Sequence, residues 1–316
     1  MAPSAPPRHV FVENVGGGVA LISLYRPPVN AMNGAVWEQL LAALSACEAA
    51  AADGRPPPVT PPLPPGASRA AFPAPDANAA ASPTRAIIFT SALPRPIFTA
   101  GNDISELHVP STSRTRFDAF WVTSATFLAR LYASPLHTVA AVAGACPAGG
   151  TALALACDER VAAAGGGTAL GLNEVALGIP VPTMWARLLA RVVGWAPAEA
   201  LVRGGVMLPA AAAAKTGLVD ELVDPGAPAE RRGAGEAVVT AALRRARWQL
   251  RLADPGRVAT KGALRRAFAA EWAVDAPADA SRVWGLLTQP AVVATLGRVL
   301  AQLAGRKGDA RRRGKL

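Results

Sequence analysis

One carboxylate, Glu174, stands alone in the segment GLNEVALGI, Gly171 to Ile179. No other charged side chain occurs between Val161 and Ala186. Apolar surroundings disfavour an ionised carboxylate and raise its pKa, which turns an ordinary acid into a base poised near neutrality. Two further segments could serve such a base. IFTAGNDI, Ile97 to Ile104, ends a buried-strand pattern in an Ala-Gly turn, and GACPAGGTALALA, Gly144 to Ala156, places a Gly pair where a helix opens. Glycines at such junctions admit a ligand close to the backbone and leave N–H groups free. Two of them facing each other would form a two-donor oxyanion hole. Singly, each turn reads as a structural turn, and a lone buried Glu as one satisfied by neighbouring N–H groups. The combination of the three is what points to chemistry.

Those segments need a scaffold. HVFVENVGGGVALISLYR, His9 to Arg26, reads as two strands around a glycine turn. Asn33 is placed to cap a helix running to about Ala50, with Val36, Leu40, Leu41 and Leu44 at helical spacing. RAIIFTS (Arg85 to Ser91) and HTVAAVAG (His137 to Gly144) have the pattern of buried strands, separated by a helix from about Ser113 to Ala133. A small-residue helix, TALALAC, and a short strand, DERVAAAG, follow. A further helix carries Met184, Trp185, Leu188, Leu189 and Val192. Alternating buried strands and helices predict an α/β core over residues 1–225. Residues 226–305 read as a basic helical region and 306–316 as a basic tail. Asp53 to Thr84 holds ten of the chain's 29 prolines without periodicity. It reads as a flexible surface insertion.

Composition narrows the class. With 51% hydrophobic and 17% charged residues over 316 positions, the chain can bury a large core and is not of the disordered type. No apolar run reaches 18 residues, so no membrane span is expected. Cys47, Cys146 and Cys157 lack metal-ligand spacing and read as buried thiols of a reducing compartment. The net charge of +10 gathers late in the chain, in LRRARWQLR, LRR and RKGDARRRGK. Nucleic acid, a phosphate-rich small molecule and a merely solvated helix face all fit that charge.

In order and in kind, AGND, GACPAGG and GLNEVALGI resemble the crotonase (enoyl-CoA hydratase/isomerase) superfamily, over about residues 9–225 and through KTGLVDELV (Lys215 to Val223). That resemblance implies a spiral of ββα units, C-terminal helices that build a homotrimer or hexamer, and an acyl-CoA thioester substrate whose CoA is the only cofactor-like group. No metal is implied. It places the oxyanion-hole N–H groups at Asn102 and Gly149. It sets Thr99, Ala100 and Gly101 against CoA, with Asp103 bracing its own loop beside them. Ile179, Val181 and Trp185 become candidates for the acyl-chain wall.

Within that superfamily the reaction depends on the acids. Hydratases carry one glutamate at the position of Ala152 and another at that of Glu174; here only the second is present. Single-acid chemistry and the GACPAGG run are similar to the mitochondrial-type Δ3,Δ2-enoyl-CoA isomerases. Syn-hydration needs two groups, whereas moving a double bond from C3 to C2 needs one carboxylate to take a proton at C2 and return it at C4. A hydratase or another crotonase-type enzyme is the alternative, and an RNA-binding scaffold without catalysis is a third. The arginine-rich stretches have few aromatic residues for base stacking, so no nucleic-acid partner is expected.

Other polar residues have plainer readings. His137 reads as a packing or capping residue, Cys146 as a packed thiol and Glu106 as a surface or structural acid. Lys261 and Arg257 are either solvated or available to the CoA 3′-phosphate. MAPSAPPRH is unlike an amphipathic leader. The terminal Gly-Lys-Leu resembles the Ser-Lys-Leu peroxisomal address. A peroxisomal enzyme engaging the import receptor is therefore expected, with the mitochondrial matrix as the alternative.

Overall fold

The structure is a computed structural model that describes residues 6–68, 75–224 and 234–313. Its elements begin with β1 (Val10–Asn14), β2 (Val19–Leu24), α1 (Gly34–Ala52), α2 (Ala77–Ala81) and β3 (Ala86–Ser91). Then follow α3 (Arg114–Ala133), β4 (His137–Val142), β5 (Ala145–Pro147), α4 (Gly149–Ala156), β6 (Glu159–Ala163) and β7 (Ala169–Gly171). The remainder is α5 (Thr183–Val193), α6 (Trp195–Gly204), β8 (Leu208–Pro209), α7 (Ala210–Lys215), β9 (Glu221–Val223), α8 (Ala234–Gln249), α9 (Asp254–Leu287) and α10 (Pro290–Arg313).

A large sheet has the order β1-β2-β3-β4-β6-β9, with β1 antiparallel to β2 and every later pairing parallel. A small sheet has the order β5-β7-β8. The chain visits them in turn: β4 lies in the large sheet, β5 in the small one, and α4 follows. Next, β6 and β7 repeat the step before α5. This alternation is the expected spiral of ββα units, and the α/β class with a C-terminal helical region holds.

Side-chain alternation divides the core. Ala20, Ile22, Ile87, Phe89, Ala140, Val142 and Ala162 belong to the main cluster with α1, α3, α4 and α5. Their neighbours Leu21, Ile88, Val139, Ala141 and Val161 face a second cluster closed by Val238, Val239, Ala242, Leu243 and Ala246 of α8. A two-residue period on parallel strands covered on both faces produces this division. Within the C-terminal helical region, α8 thus covers the sheet of its own chain, and α9 packs on α3. Local signals held where they were strong. Asn33 caps α1 by accepting from Val36 N at 3.1 Å, and Ser113 caps α3 by accepting from Arg116 N at 3.2 Å.

The proline-rich insertion corrects its reading. Its described residues are strapped to the edge strand rather than loose. Thr60 and Val12 exchange hydrogen bonds at 2.9 and 3.0 Å. Gly17 N donates to Ala79 O, and the Asn14 amide to Ala80 O, each at 2.8 Å. Without periodicity the segment finds its order in β1, whose unpaired edge supplies donors and acceptors.

Candidate active site

Three turns converge on one cleft. The first follows β3, where Phe98 N and Thr99 N donate to Ala145 O at 3.0 and 3.2 Å, tying this loop to the start of β5. Gly101 has φ +82°, and a Cβ there would lie 3.0 Å from Pro147 O and 3.2 Å from Ala148 Cβ. Only glycine serves this turn. Met32 N donates to Gly101 O at 2.8 Å and Asp103 N to Met32 O at 2.9 Å. Between them, the Asn102 N–H has no acceptor among the described residues. The Asn102 side chain is held by Trp37, whose Nε1 donates to Oδ1 at 3.1 Å.

The second turn joins β5 to α4. Ala148 N donates to Gly171 O at 2.8 Å, and Ala148 takes φ 51° and ψ −119°, a conformation that costs an L-residue energy. The next residue, Gly149, opens α4, and its N–H also lacks an acceptor among the described residues. A Cβ at Gly149 would lie 2.9 Å from Asn102 Oδ1 and 3.1 Å from Met32 Cε, so the two turns are in contact and glycine is what lets them meet. Thr151 secures the third turn from within α4, accepting from Gly171 N at 2.8 Å.

That third turn is a short helical stretch, Glu174 to Leu177, ended by Gly178 at φ 77°. Glu174 is only 4% exposed, and neither carboxylate oxygen has a hydrogen-bond partner among the described residues. Burial pushes its pKa from 4.5 up to about 7. A buried acid without a partner is costly, and here the cost is left standing.

The cleft that receives these turns is lined by Ala100, Asn102, Pro147, Ala148, Asn173 and Glu174, then by an apolar wall including Ile179 and Trp185. Glu174 is the only ionisable side chain among the lining residues. Of the residues expected from sequence, Ala100, Asn102, Glu174, Ile179 and Trp185 line it, while Thr99, Gly101, Asp103, Gly149 and Val181 do not. The reasons are local. Thr99 is fully buried and spends its hydroxyl within the loop, donating to Asn30 O at 2.6 Å and accepting from Gly101 N at 3.0 Å. Asp103 accepts from Ser105 and from Arg26 Nη1, at 2.8 and 3.0 Å, and so braces its loop. Gly149 is buried next to Ala148, which lines the cleft. Val181 packs against the core, and its proline neighbours Pro180 and Pro182 line the cleft instead.

Sequence reasoning missed part of the wall. Trp121 of α3 and Val283 and Leu287 of α9 face the cleft from more than a hundred residues apart. Their helical spacing marks them as buried, but no local signal says against what.

The remaining polar residues lie elsewhere. Glu106 is 1% exposed and paired with Arg116 at 2.8 and 2.9 Å, so it is structural and not on the surface. His137 is packed as expected, 3.4 Å from Asp158 and 3.5 Å from Glu159. Burial raises the Cys146 thiol well above its usual range, consistent with an inert packed group. Neither Lys261 nor Arg257 is free for a phosphate, nor is either simply solvated. Lys261 Nζ donates to Asp158 and to Leu136 O, both at 2.8 Å, and Arg257 donates to Asp254 at 2.8 Å. Asp158 reaches Lys261 from a distant position before β6, whereas Asp254 stands three residues before Arg257 on the same helix. The C-terminal Gly-Lys-Leu and residues 1–5 of MAPSAPPRH lie outside the described residues.

Comparison with known proteins gives the family. A family profile described as Enoyl-CoA hydratase/isomerase matches residues 77–231. Human mitochondrial enoyl-CoA delta isomerase 1 is 29% identical over 302 residues, covering 95% of this chain and 85% of the relative. The mouse protein of the same name is 31% identical over 224 residues, covering 71% and 73%. The crystal structure of human mitochondrial delta3-delta2-enoyl-CoA isomerase superimposes with a TM-score of 0.75 at 27% identity, covering 95% of this chain and all of that one.

Proposed function

Because this chain belongs to the enoyl-CoA hydratase/isomerase (crotonase) family, we propose that it is a Δ3,Δ2-enoyl-CoA isomerase acting on unsaturated fatty acyl-CoA. One observation carries this reading: Glu174 is the only ionisable group lining the cleft. The position where a hydratase holds its other glutamate is Ala152, fully buried in α4.

Glu174 is the base. Ionised near neutral pH in an apolar wall, it takes a proton from C2 of the 3-enoyl thioester. The electron pair moves toward the carbonyl and gives a dienolate, with negative charge on the thioester oxygen. Asn102 N–H and Gly149 N–H hold that oxygen, and each donor contributes about 3 kcal/mol to the transition state. The α4 N-terminus adds its dipole at the same place. Protonated Glu174 then returns the proton at C4, which leaves the double bond at C2 and restores the carboxylate. The carboxyl group ends as it began, so the reaction needs no cofactor and no metal beyond the CoA that the substrate carries.

Among the described residues, part of the late basic charge that would suit RNA is committed to acids of the same chain. Arg244 and Arg245 pair with Glu221 and Glu159, Lys261 and Arg265 with Asp158, and Arg257 with Asp254. This argues against a nucleic-acid partner. Assembly as a homotrimer or hexamer completes the reading, and sedimentation velocity measures it. The named mammalian relatives are mitochondrial, which supports the matrix alternative over the peroxisome. Imaging the full chain with and without its last three residues distinguishes the two.

The decisive assay presents 3-enoyl-CoA and 2-enoyl-CoA side by side. Double-bond migration with the first and no water addition to the second is the expected result. Hydration of 2-enoyl-CoA at a comparable rate would overturn the isomerase in favour of a hydratase.

A further inference from the structure

The cleft has two unlike ends. At the outer end Ala100 and Pro180 are exposed. At the inner end Leu107, Trp121, Trp185 and Leu287 are all buried, none more than 7% exposed. A thioester gripped at Asn102 and Gly149 would send its acyl tail toward that inner end, because it is the apolar one.

What closes the end is rigid. The Trp121 indole stacks on Trp185, with ring centroids 6.5 Å apart and planes inclined by 12°, and on Phe117 at 5.4 Å and 28°. Behind Phe117 lies Trp284 at 5.3 Å, so aromatic rings continue beyond the wall. The indole is also pinned from the far side. Its Nε1 donates to Asp279 Oδ2 of α9 at 2.9 Å, and Asp279 Oδ1 accepts from Arg282 at 3.1 Å. Swinging Trp121 aside would break two stacks and leave an indole N–H without an acceptor, which is unfavourable in a buried setting.

We propose that Trp121, fixed by Asp279, is a chain-length gauge that restricts the enzyme to short- and medium-chain acyl groups; this rests on the acyl-CoA reading of the site and names its substrate class. Methylenes that reach up to the indole exchange water for apolar contact. Methylenes beyond it find no room and stay in water or crowd the wall. Trp121 touches the acyl tail in this scheme, while Asp279 acts through Trp121 as a positioning residue.

Binding tests the gauge without turnover. Saturated butanoyl-, octanoyl-, dodecanoyl- and hexadecanoyl-CoA are titrated against the full chain by calorimetry. Affinity is expected to rise from butanoyl to octanoyl and then to level off or fall. In Trp121→Ala the rise continues to dodecanoyl, which binds about tenfold more tightly than to the parent, while butanoyl is unaffected. Asp279→Ala shifts the profile the same way by a smaller factor. Trp121→Leu, which keeps an apolar filler, serves if the alanine variant does not fold, and thermal melting shows which variants are folded. Hexadecanoyl-CoA binding best to the parent, or an unchanged ranking in a folded Trp121 variant, overturns the gauge. Absence of binding at every length overturns the acyl-CoA reading beneath it, a distinct result.

Discussion

Two buried carboxylates divide the labour of this molecule. Asp158, just before β6, accepts from Lys261 at 2.8 Å and from Arg265 at 2.7 Å, with His137 3.4 Å away. Glu174 has no partner for either oxygen among the described residues. Burial pushes both acids up. At Asp158 the Lys261 ammonium, then His137 and Arg265, overcome it and hold the group well below the carboxylate range. At Glu174 no cation opposes burial, only the residue's own backbone N–H, and the pKa reaches about 7. The pair shows that depth alone does not make a base. An acid surrounded by cations is ionised and inert, whereas an acid surrounded by hydrocarbon is reactive and unfavourable to keep. Asp158 clamps α9 to the sheet, and α9 in turn supplies Val283 and Leu287 to the wall beside Glu174. The inert acid thus positions part of the pocket that serves the reactive one.

The comparison can be broken most forcefully at Glu174. Glu174→Gln should lower kcat for double-bond migration by about a thousandfold, within the range for removal of a general base. Octanoyl-CoA affinity should stay within a few-fold, as measured by steady-state kinetics and calorimetry. Retention of full activity would remove Glu174 from the mechanism.

Asp158→Asn should do the opposite. It leaves the half-buried Lys261 and Arg265 without their acid and should cost about 3 kcal/mol in urea unfolding, the low end for a broken buried pair. Protein that remains folded should keep the pH midpoint of the parent. A loss of activity in fully folded protein would mean that Asp158 has a chemical role.

Glu174→Gln should also stabilise the fold, in a pH-dependent way. The acid's pKa is raised on folding, so its contribution to stability is fully present below pH 4.5 and is lost as pH rises to about 7. Above that, the parent carries a burden of roughly 3 kcal/mol that the amide avoids. Melting temperatures of parent and variant should therefore diverge at pH 8 and converge at pH 4. Equal differences at both pH values would show that the carboxylate is not desolvated in solution.

Two smaller effects sharpen the picture. The parent's kcat/KM should fall about tenfold per pH unit below 7 as Glu174 takes up a proton, whereas a midpoint near 4.5 would place that carboxylate in contact with water. Ala148→Gly relieves the strained φ of 51° and should stabilise by about 1 kcal/mol at most, after the entropy of the added glycine. Its kcat should fall as the Gly149 N–H becomes less fixed. A destabilised variant would show that the Ala148 methyl packs more than it strains.

Local chemistry decided a good deal by itself. Asn33 and Ser113 cap the helices they precede because a short polar side chain can satisfy orphan N–H groups from its own chain position. Buried-strand runs such as AIIFTS form the central strands because both faces are covered. Gly101 and Gly149 are glycines because no Cβ fits, and the isolated Glu174 is visible as a charge without a counter-charge. The caps and the lone charge depend on neighbours a few residues away, whereas the atoms that exclude a Cβ come from distant segments, Pro147 and Ala148 at Gly101 and Asn102 and Met32 at Gly149. Tertiary structure decided the rest. Lys261 is indistinguishable in sequence from a solvated cation until Asp158, 103 residues away, is brought beside it. The insertion is featureless until β1 offers its edge. Trp121, Val283 and Leu287 are apolar residues at helical spacing, and only the packing of α9 on α3 makes them one wall. Burial and pairing of a charge are properties of the three-dimensional surroundings, assembled here from segments up to about 170 residues apart, and so the difference between an acid that holds the fold and one that does chemistry is settled only when the chain has closed around them.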